Sequence, residues 1–367
     1  MPKTSPRLEQ LVSVRGLAAW LVVVFHSIAL LRVALPDLHP WIFDIIAHGY
    51  LAVDFFFMLS GFIIFINYYD KFATDFRKNS VAFYWNRFTR IYPVHLLVLL
   101  AYVVLAGSFI YFSSSKSLPL TYSLSSFLEN IFLVQAWSGT STSWNVPSWS
   151  ISAEWFVYLL FPIFAVLLRK NVRGLTSHFV LASVALATAF GLSQIQLRVE
   201  GVPRITDLPL VRAFFEFLLG TIVGSLYIHH NVWLKRYRAV CAGSIVVTGL
   251  AIIYLHLSAA IAVPLMCLLL VCSLSVDTSL VTRWLSTQPL IYLGEISYST
   301  YMVHYLVYDL YKATWLQSLK TVDPASLFAS FAIVLGLSMI MHKMIEIPAQ
   351  RYLRSGRFKR VALATSR

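Results

Sequence analysis

The chain has 367 residues, 58% of them hydrophobic and 12% charged, where soluble domains carry roughly 25% charged residues. Its length would allow two soluble domains, but apolar stretches of roughly 20 residues recur from Leu11 to Ile345, as bilayer-spanning helices require. The formal charge of +13 does not point to nucleic acid, because the basic residues cluster between apolar stretches and are not interleaved with aromatics in a soluble segment.

Apolar runs lie near residues 11–34, 48–69, 91–112, 149–168, 174–194, 208–229, 239–256, 259–276, 290–311 and 325–345. They predict an all-α, polytopic transmembrane helix bundle of about ten spans. One integral membrane domain over 1–350 and a short basic tail over 351–367 are expected. An even number of spans puts both termini on one side. Lys71, Arg77, Lys78, Arg87 and Arg90, then Arg169, Lys170 and Arg173, then Lys235, Arg236 and Arg238, then the Arg351–Arg360 tail all share that side. About 22 of the 29 basic residues fall there, so the positive-inside rule makes it cytoplasmic, termini included. The N-terminal run has no small-residue cleavage site and is expected to stay. Cys241, Cys267 and Cys272 sit in apolar runs and read as small core side chains. The longest outside segment, Ser113–Asn145, contains an apolar piece from Phe127 to Trp137 that is too short to span and suits an interfacial or re-entrant helix.

Arg15 and His26 share the first span, about 16 Å apart along a helix and only about 20° apart around it. Ionisable groups at depth are costly and usually face a cavity or partner. A neutral imidazole can take a proton from an alcohol, its unperturbed pKa being near 6.5. The plainer alternative makes His26 an interhelical hydrogen-bonding residue and Arg15 a side chain snorkelling to headgroups. Asp54, in the second span, is placed to orient or charge-stabilise His26, or else is a hydrated interface carboxylate. Ser60 beside Gly61 reads as small-residue helix packing.

Arg87 and Arg90, three residues apart, lie on one helical face and suit the phosphates of a nucleotide-bearing donor such as CoA, unless they are ordinary topological anchors. In the fourth span Ser148, Ser152 and Trp155 come at helical spacing, and Glu154 is an intramembrane carboxylate. Its competing role is a structural hydrogen bond. Tyr298, Tyr301 and His304 could line a polar cavity along the ninth span, or serve as interfacial aromatics and interhelical bonds.

In this order the segments resemble the acyltransferase-3 family of membrane-bound acyltransferases, from Arg15 to Pro348. The resemblance rests on Arg15 with His26, Val53-Asp54-Phe55-Phe56 to Ser60-Gly61-Phe62, Arg87 with Arg90, Ser148-Trp149-Ser150 with Glu154, Gly294 to His304, and Glu346-Ile347-Pro348. It implies an acyl-CoA donor, commonly acetyl-CoA, a hydroxyl of a carbohydrate or lipid-linked glycan as acceptor, and the bacterial inner membrane with its lipid as setting. Neither a metal nor nucleic acid is called for. Some relatives carry a fused extracytoplasmic hydrolase-like domain, whereas this chain resembles the stand-alone type.

The expected roles follow. Arg87, Arg90 and Arg15 hold the CoA phosphates; His26 is the general base or a transient acyl carrier; Asp54 or Glu154 stabilises the imidazolium; Ser148, Trp149, Tyr298, Tyr301 and His304 meet the acceptor. The rival from another class is a transporter or flippase, in which the same polar residues would form a substrate or proton pathway.

Overall fold

The computed structural model describes residues 8–112, 122–137, 144–200, 208–255, 259–314 and 322–364, and among them there is helix and no strand. In chain order the helices are α1 (Glu9–His26), α2 (Ile28–Ala34), α3 (Pro40–Ala47), α4 (Ala52–Tyr68), α5 (Lys71–Thr74) and α6 (Phe76–Phe112). Then come α7 (Leu124–Ile131), α8 (Trp149–Asn171), α9 (Leu175–Glu200), α10 (Pro209–His229), α11 (Asn231–Leu255) and α12 (Ala259–Val276). The last are α13 (Leu280–Leu285), α14 (Gln288–Glu295), α15 (Ser297–Thr314), α16 (Pro324–Met341) and α17 (Ile347–Ala364). Parts of the expected outside segment, 113–121 and 138–143, lie outside the described residues, as do 365–367 of the tail.

Local chemistry sets several ends. Pro40, Pro209 and Pro324 open α3, α10 and α16, where a missing N–H costs nothing. The Asp323 carboxylate caps α16 by accepting from the N–H groups of Ala325 (3.3 Å) and Ser326 (2.9 Å). One π-helical turn, His342–Glu346, separates α16 from α17.

Seven stretches of the described helix are long and apolar enough to cross a membrane: Glu9–His26, Pro40–Tyr68, Phe76–Ser108, Val146–Asn171, Leu175–Leu192, Pro209–His229 and Pro324–Ser355. Many of their outward side chains are apolar, Val104, Ile163, Val184 and Ile340 among them. That is the surface of a helix solvated by lipid. Three of the ten sequence runs are not among these seven stretches of the described residues. The run at 239–256 lies in α11, whose first half carries Lys235, Arg236 and Arg238. That at 259–276 coincides with the 18-residue α12, of which the side chains of 259–261 lie outside the described residues. The run at 290–311 breaks at Ile296 between α14 and α15, and α15 carries Asp309, Lys312 and five tyrosines.

Contacts divide the chain into two units. The first takes residues up to 18, 51–80 and 153–295; the second takes 19–50, 81–152 and 296 onward. In the first unit α4 crosses α10 at backbone contact distance: a Cβ on Gly61 would overlap the carbonyl of Phe217, and one on Gly220 the carbonyl of Met58. Small residues let helices approach this closely where lipid removes the hydrophobic drive between them. In the second unit Val23, Val307 and Val334 join α1, α15 and α16, while Leu30, Leu31, Phe43, Tyr311 and Leu327 join α2, α3, α15 and α16. The Phe127–Trp137 piece begins inside the eight-residue α7, which is tied to α6 by the His95 imidazole, whose Nε2 lies 2.9 Å from the Asn130 carbonyl.

The crossing yields a first prediction. Gly220→Val should overpack it, at a cost of about 1–3 kcal/mol or more, and lower both the yield and the thermal midpoint of detergent-extracted protein. Gly243→Val, with nothing within 4 Å of its Cβ, is the matched control. Equal midpoints for the two would remove the tight crossing from the account of folding.

Candidate functional site

His26 closes α1, and α15 brings His304 against it in the second unit. Their ring centroids are 5.1 Å apart, with Nε2 of His304 3.1 Å from Nδ1 of His26. The protonation pattern follows from the partners. Nδ1 of His304 lies 2.7 Å from the Tyr301 carbonyl, which can only accept, so that nitrogen carries the hydrogen. Neutral His304 then offers a bare Nε2. Nδ1 of His26 faces two acceptors, this Nε2 and the Val22 carbonyl at 3.0 Å, and must itself be the N–H. The lone pair of His26 is thereby left on Nε2. His304 is buried and His26 half-buried.

The same helix carries polar groups at three levels. At Ser299 the hydroxyl donates to Glu346 Oε2 (2.9 Å), which the imidazole of His342 also meets at 2.9 Å, and Arg90 is close enough to act on this carboxylate electrostatically. About 7.5 Å further along the axis comes His304, and about 7.5 Å beyond that Asp309. Arg87 packs its guanidinium over the Phe83 ring at 5.8 Å. On α17, Arg354 donates to the Thr89 hydroxyl and the Asn86 carbonyl, both 3.3 Å away, bringing a third guanidinium to the α6 segment that bears Arg87 and Arg90.

The remaining second-unit candidates are engaged in the wall. Tyr301 is buried; its hydroxyl donates to the Pro147 carbonyl (3.0 Å) and accepts from Ser150 (2.8 Å). Tyr298 donates to the Ile91 carbonyl. Ser148 is fully buried, donating to Asn130 Oδ1 (3.3 Å) and lying between it and the Gln135 amide, while Trp149 is half-buried. With Ser152, which donates to the Leu133 carbonyl (2.8 Å), these serines hold the turn where Leu133 takes a left-handed backbone (φ 58°).

Arg15, Asp54 and Glu154 belong to the first unit. Arg15 donates to the Gly294 carbonyl at 2.6 Å. Asp54, buried in α4, is paired with Arg212 of α10, and Glu216, one turn further, stands 3.9 Å from the same guanidinium. Glu154 accepts from the hydroxyls of Ser60 (2.8 Å) and Tyr158. Ser60 therefore does more than pack.

A family model described as an acyltransferase domain matches residues 10–343. The chain belongs to the acyltransferase-3 family. This acyltransferase is 29% identical to acyltransferase MdmB of Streptomyces mycarofaciens over 99% of its length and 96% of the relative's. It is 28% identical to the exopolysaccharide production protein ExoZ of Rhizobium meliloti over 85% and 92% of the two chains. An uncharacterized protein of Haemophilus influenzae is 30% identical over 49% of this chain and 75% of its own. No solved structure matches.

Sequence reasoning passed over Arg212, Glu216 and Arg354. Arg212 and Glu216, four residues apart within an apolar run, carried the signal of any intramembrane ionisable pair. A second prediction tests what Asp54 does. Arg212→Leu should cost on the order of 3–5 kcal/mol by stranding a buried carboxylate, and Asp54→Leu in the same protein should recover much of that loss. Thermal unfolding of the four proteins of this cycle decides the matter: strictly additive losses would mean that the pair is not coupled.

Proposed function

We propose that this acyltransferase transfers an acyl group, acetyl first among them, from cytoplasmic acyl-CoA to a hydroxyl of a carbohydrate or lipid-linked glycan acceptor at the bacterial inner membrane. The observation that carries the reading is the His26 imidazole with its lone pair directed to Nε2 by His304. Family membership favours acyl transfer over transport, and the name of the exopolysaccharide production relative supports a glycan acceptor.

In this reading Nε2 of His26 takes the proton of the acceptor hydroxyl as that oxygen attacks the thioester carbonyl. The carbon–sulfur bond then breaks, and the leaving thiolate takes the proton back from the imidazolium, so the cycle closes without net proton uptake. Arg87 and Arg90 hold the phosphates of CoA, and the guanidinium fork suits phosphate oxygens bidentately. Asp54 has Arg212 as counter-charge, and Glu154 accepts from the hydroxyls of Ser60 and Tyr158. Tyr298, Tyr301, Ser148 and Trp149 shape the wall beside which the acceptor is bound. Ten spans with both termini cytoplasmic, as the distribution of Lys and Arg favours, put the arginines on the donor side.

Purified protein should carry labelled acetyl from acetyl-CoA into glycan, and His26→Ala should lose on the order of 10²-fold or more of that rate while still inserting. Intact transfer by His26→Ala would take the imidazole out of the mechanism. For the donor, Arg87→Lys and Arg90→Lys keep the charge but lose the fork, so the KM for acyl-CoA should rise while that for acceptor stays. In side-selective labelling, a cysteine at Lys78 should react from the cytoplasm and one at Ser123 from outside. Unchanged donor KM in both variants, or labelling from the opposite sides, would return these arginines to simple anchoring.

A further inference from the structure

Beyond His304, α15 continues into a group of side chains that the chemistry above leaves unused. The Tyr305 ring meets His26 edge-on at 5.3 Å, and Tyr308 follows 5.6 Å from Tyr305. Lys312 Nζ lies 4.2 Å from the centroid of Tyr308 and 5.9 Å from that of Tyr305, and pairs with Asp309 Oδ1 at 2.7 Å. The other oxygen of Asp309 accepts from Tyr102 of α6 at 3.1 Å, and the Tyr122 ring stands 6.5 Å from that of Tyr102. Tyr122, Tyr305, Tyr308 and Asp309 are all half-buried.

We infer that Tyr305, Tyr308 and Asp309, backed by Tyr102, Tyr122 and Lys312, form the subsite for the acceptor, and that its ligand is a neutral sugar ring. This deepens the acyl-transfer reading and rests on it for the reaction, though not for the binding. Charge selects the class. Among the described residues of this group the Lys312 ammonium is answered by the Asp309 carboxylate, with no excess positive charge for a phosphate, unlike the arginine cluster of α6 and α17. What remains is aromatic faces, phenol hydroxyls and a carboxylate. The C–H face of a pyranose packs on the negative face of an aromatic ring, and its hydroxyls donate well to a carboxylate. Position agrees: the subsite begins at the ring in contact with His26 and extends along α15 away from Ser299 and Glu346. The Ser299 and Asp309 levels are about 15 Å apart along that helix, with His304 midway. A sugar seated there reaches the base from the side opposite to the arginines.

The test is sugar binding without acyl-CoA. The full chain in lipid nanodiscs is mixed with the methyl glycosides of glucose, galactose and mannose, and saturation transfer to their ring protons is followed by NMR against empty nanodiscs. Wild-type protein should bind at least one glycoside, and Asp309→Asn should weaken it about tenfold or more, since a hydrogen bond to a charged group is lost. Because Asp309 also holds Lys312, Tyr308→Ala serves as the second variant: it removes only a half-buried ring and should weaken binding too. No signal from wild type, equal signals from wild type and both variants, or displacement by inorganic phosphate would overturn the subsite. Glycoside binding with no acetyl transfer would instead sink the proposed reaction and leave the subsite standing.

Discussion

An ionisable group among apolar helices is tolerable only beside a group that answers it, and this rule organises the chain more than any propensity does. Asp54 and Arg212 satisfy it with opposite charges, Glu154 with two hydroxyls, Glu346 with a serine and an imidazole. The packing follows from these partnerships. α4 and α10 can join Asp54 to Arg212 because Gly61 and Gly220 let the two backbones touch, so the ion pair and the glycine crossing are two aspects of one interface.

His26 answers the rule differently, with a second neutral imidazole. Two histidines joined through one hydrogen need no net charge, yet the arrangement has a direction: the Tyr301 carbonyl fixes His304, and His304 fixes His26. Each step along that chain of acceptors removes a tautomeric freedom. The π turn before α17 works on the same helix from the other end, bringing Glu346 and His342 together against Ser299.

The helices were legible in the sequence because lipid demands long apolar runs: each of the seven long apolar stretches overlaps an expected span, and Val146–Asn171, Leu175–Leu192 and Pro209–His229 do so to within three residues at both ends. The 290–311 run was harder: its aliphatic residues read as a span, but the break at Ile296 and the tyrosines, Asp309 and Lys312 of α15 belong to a helix that makes polar contacts. Single residues were legible as unusual, their partners were not. Arg212 finds Asp54 across 158 residues and His304 finds His26 across 278, and no spacing rule within one helix reports on such distances. Ser148 and Ser152 showed a helical period, but only the folded chain shows that they brace the left-handed turn at Leu133.

A neutral imidazole pair also fits the proton balance of the proposed reaction. Acyl transfer from a thioester to a hydroxyl moves one proton from oxygen to sulfur and consumes none. The base must therefore return to its starting protonation state, and a neutral imidazole does so by carrying a charge only between the two proton transfers. A lysine or arginine at the position of His304 would impose a permanent cation beside the base and oppose imidazolium formation, whereas a carboxylate would favour the imidazolium before substrate arrived. A second neutral histidine does neither. It leaves the first one poised, with its lone pair on the nitrogen that does not face the protein backbone.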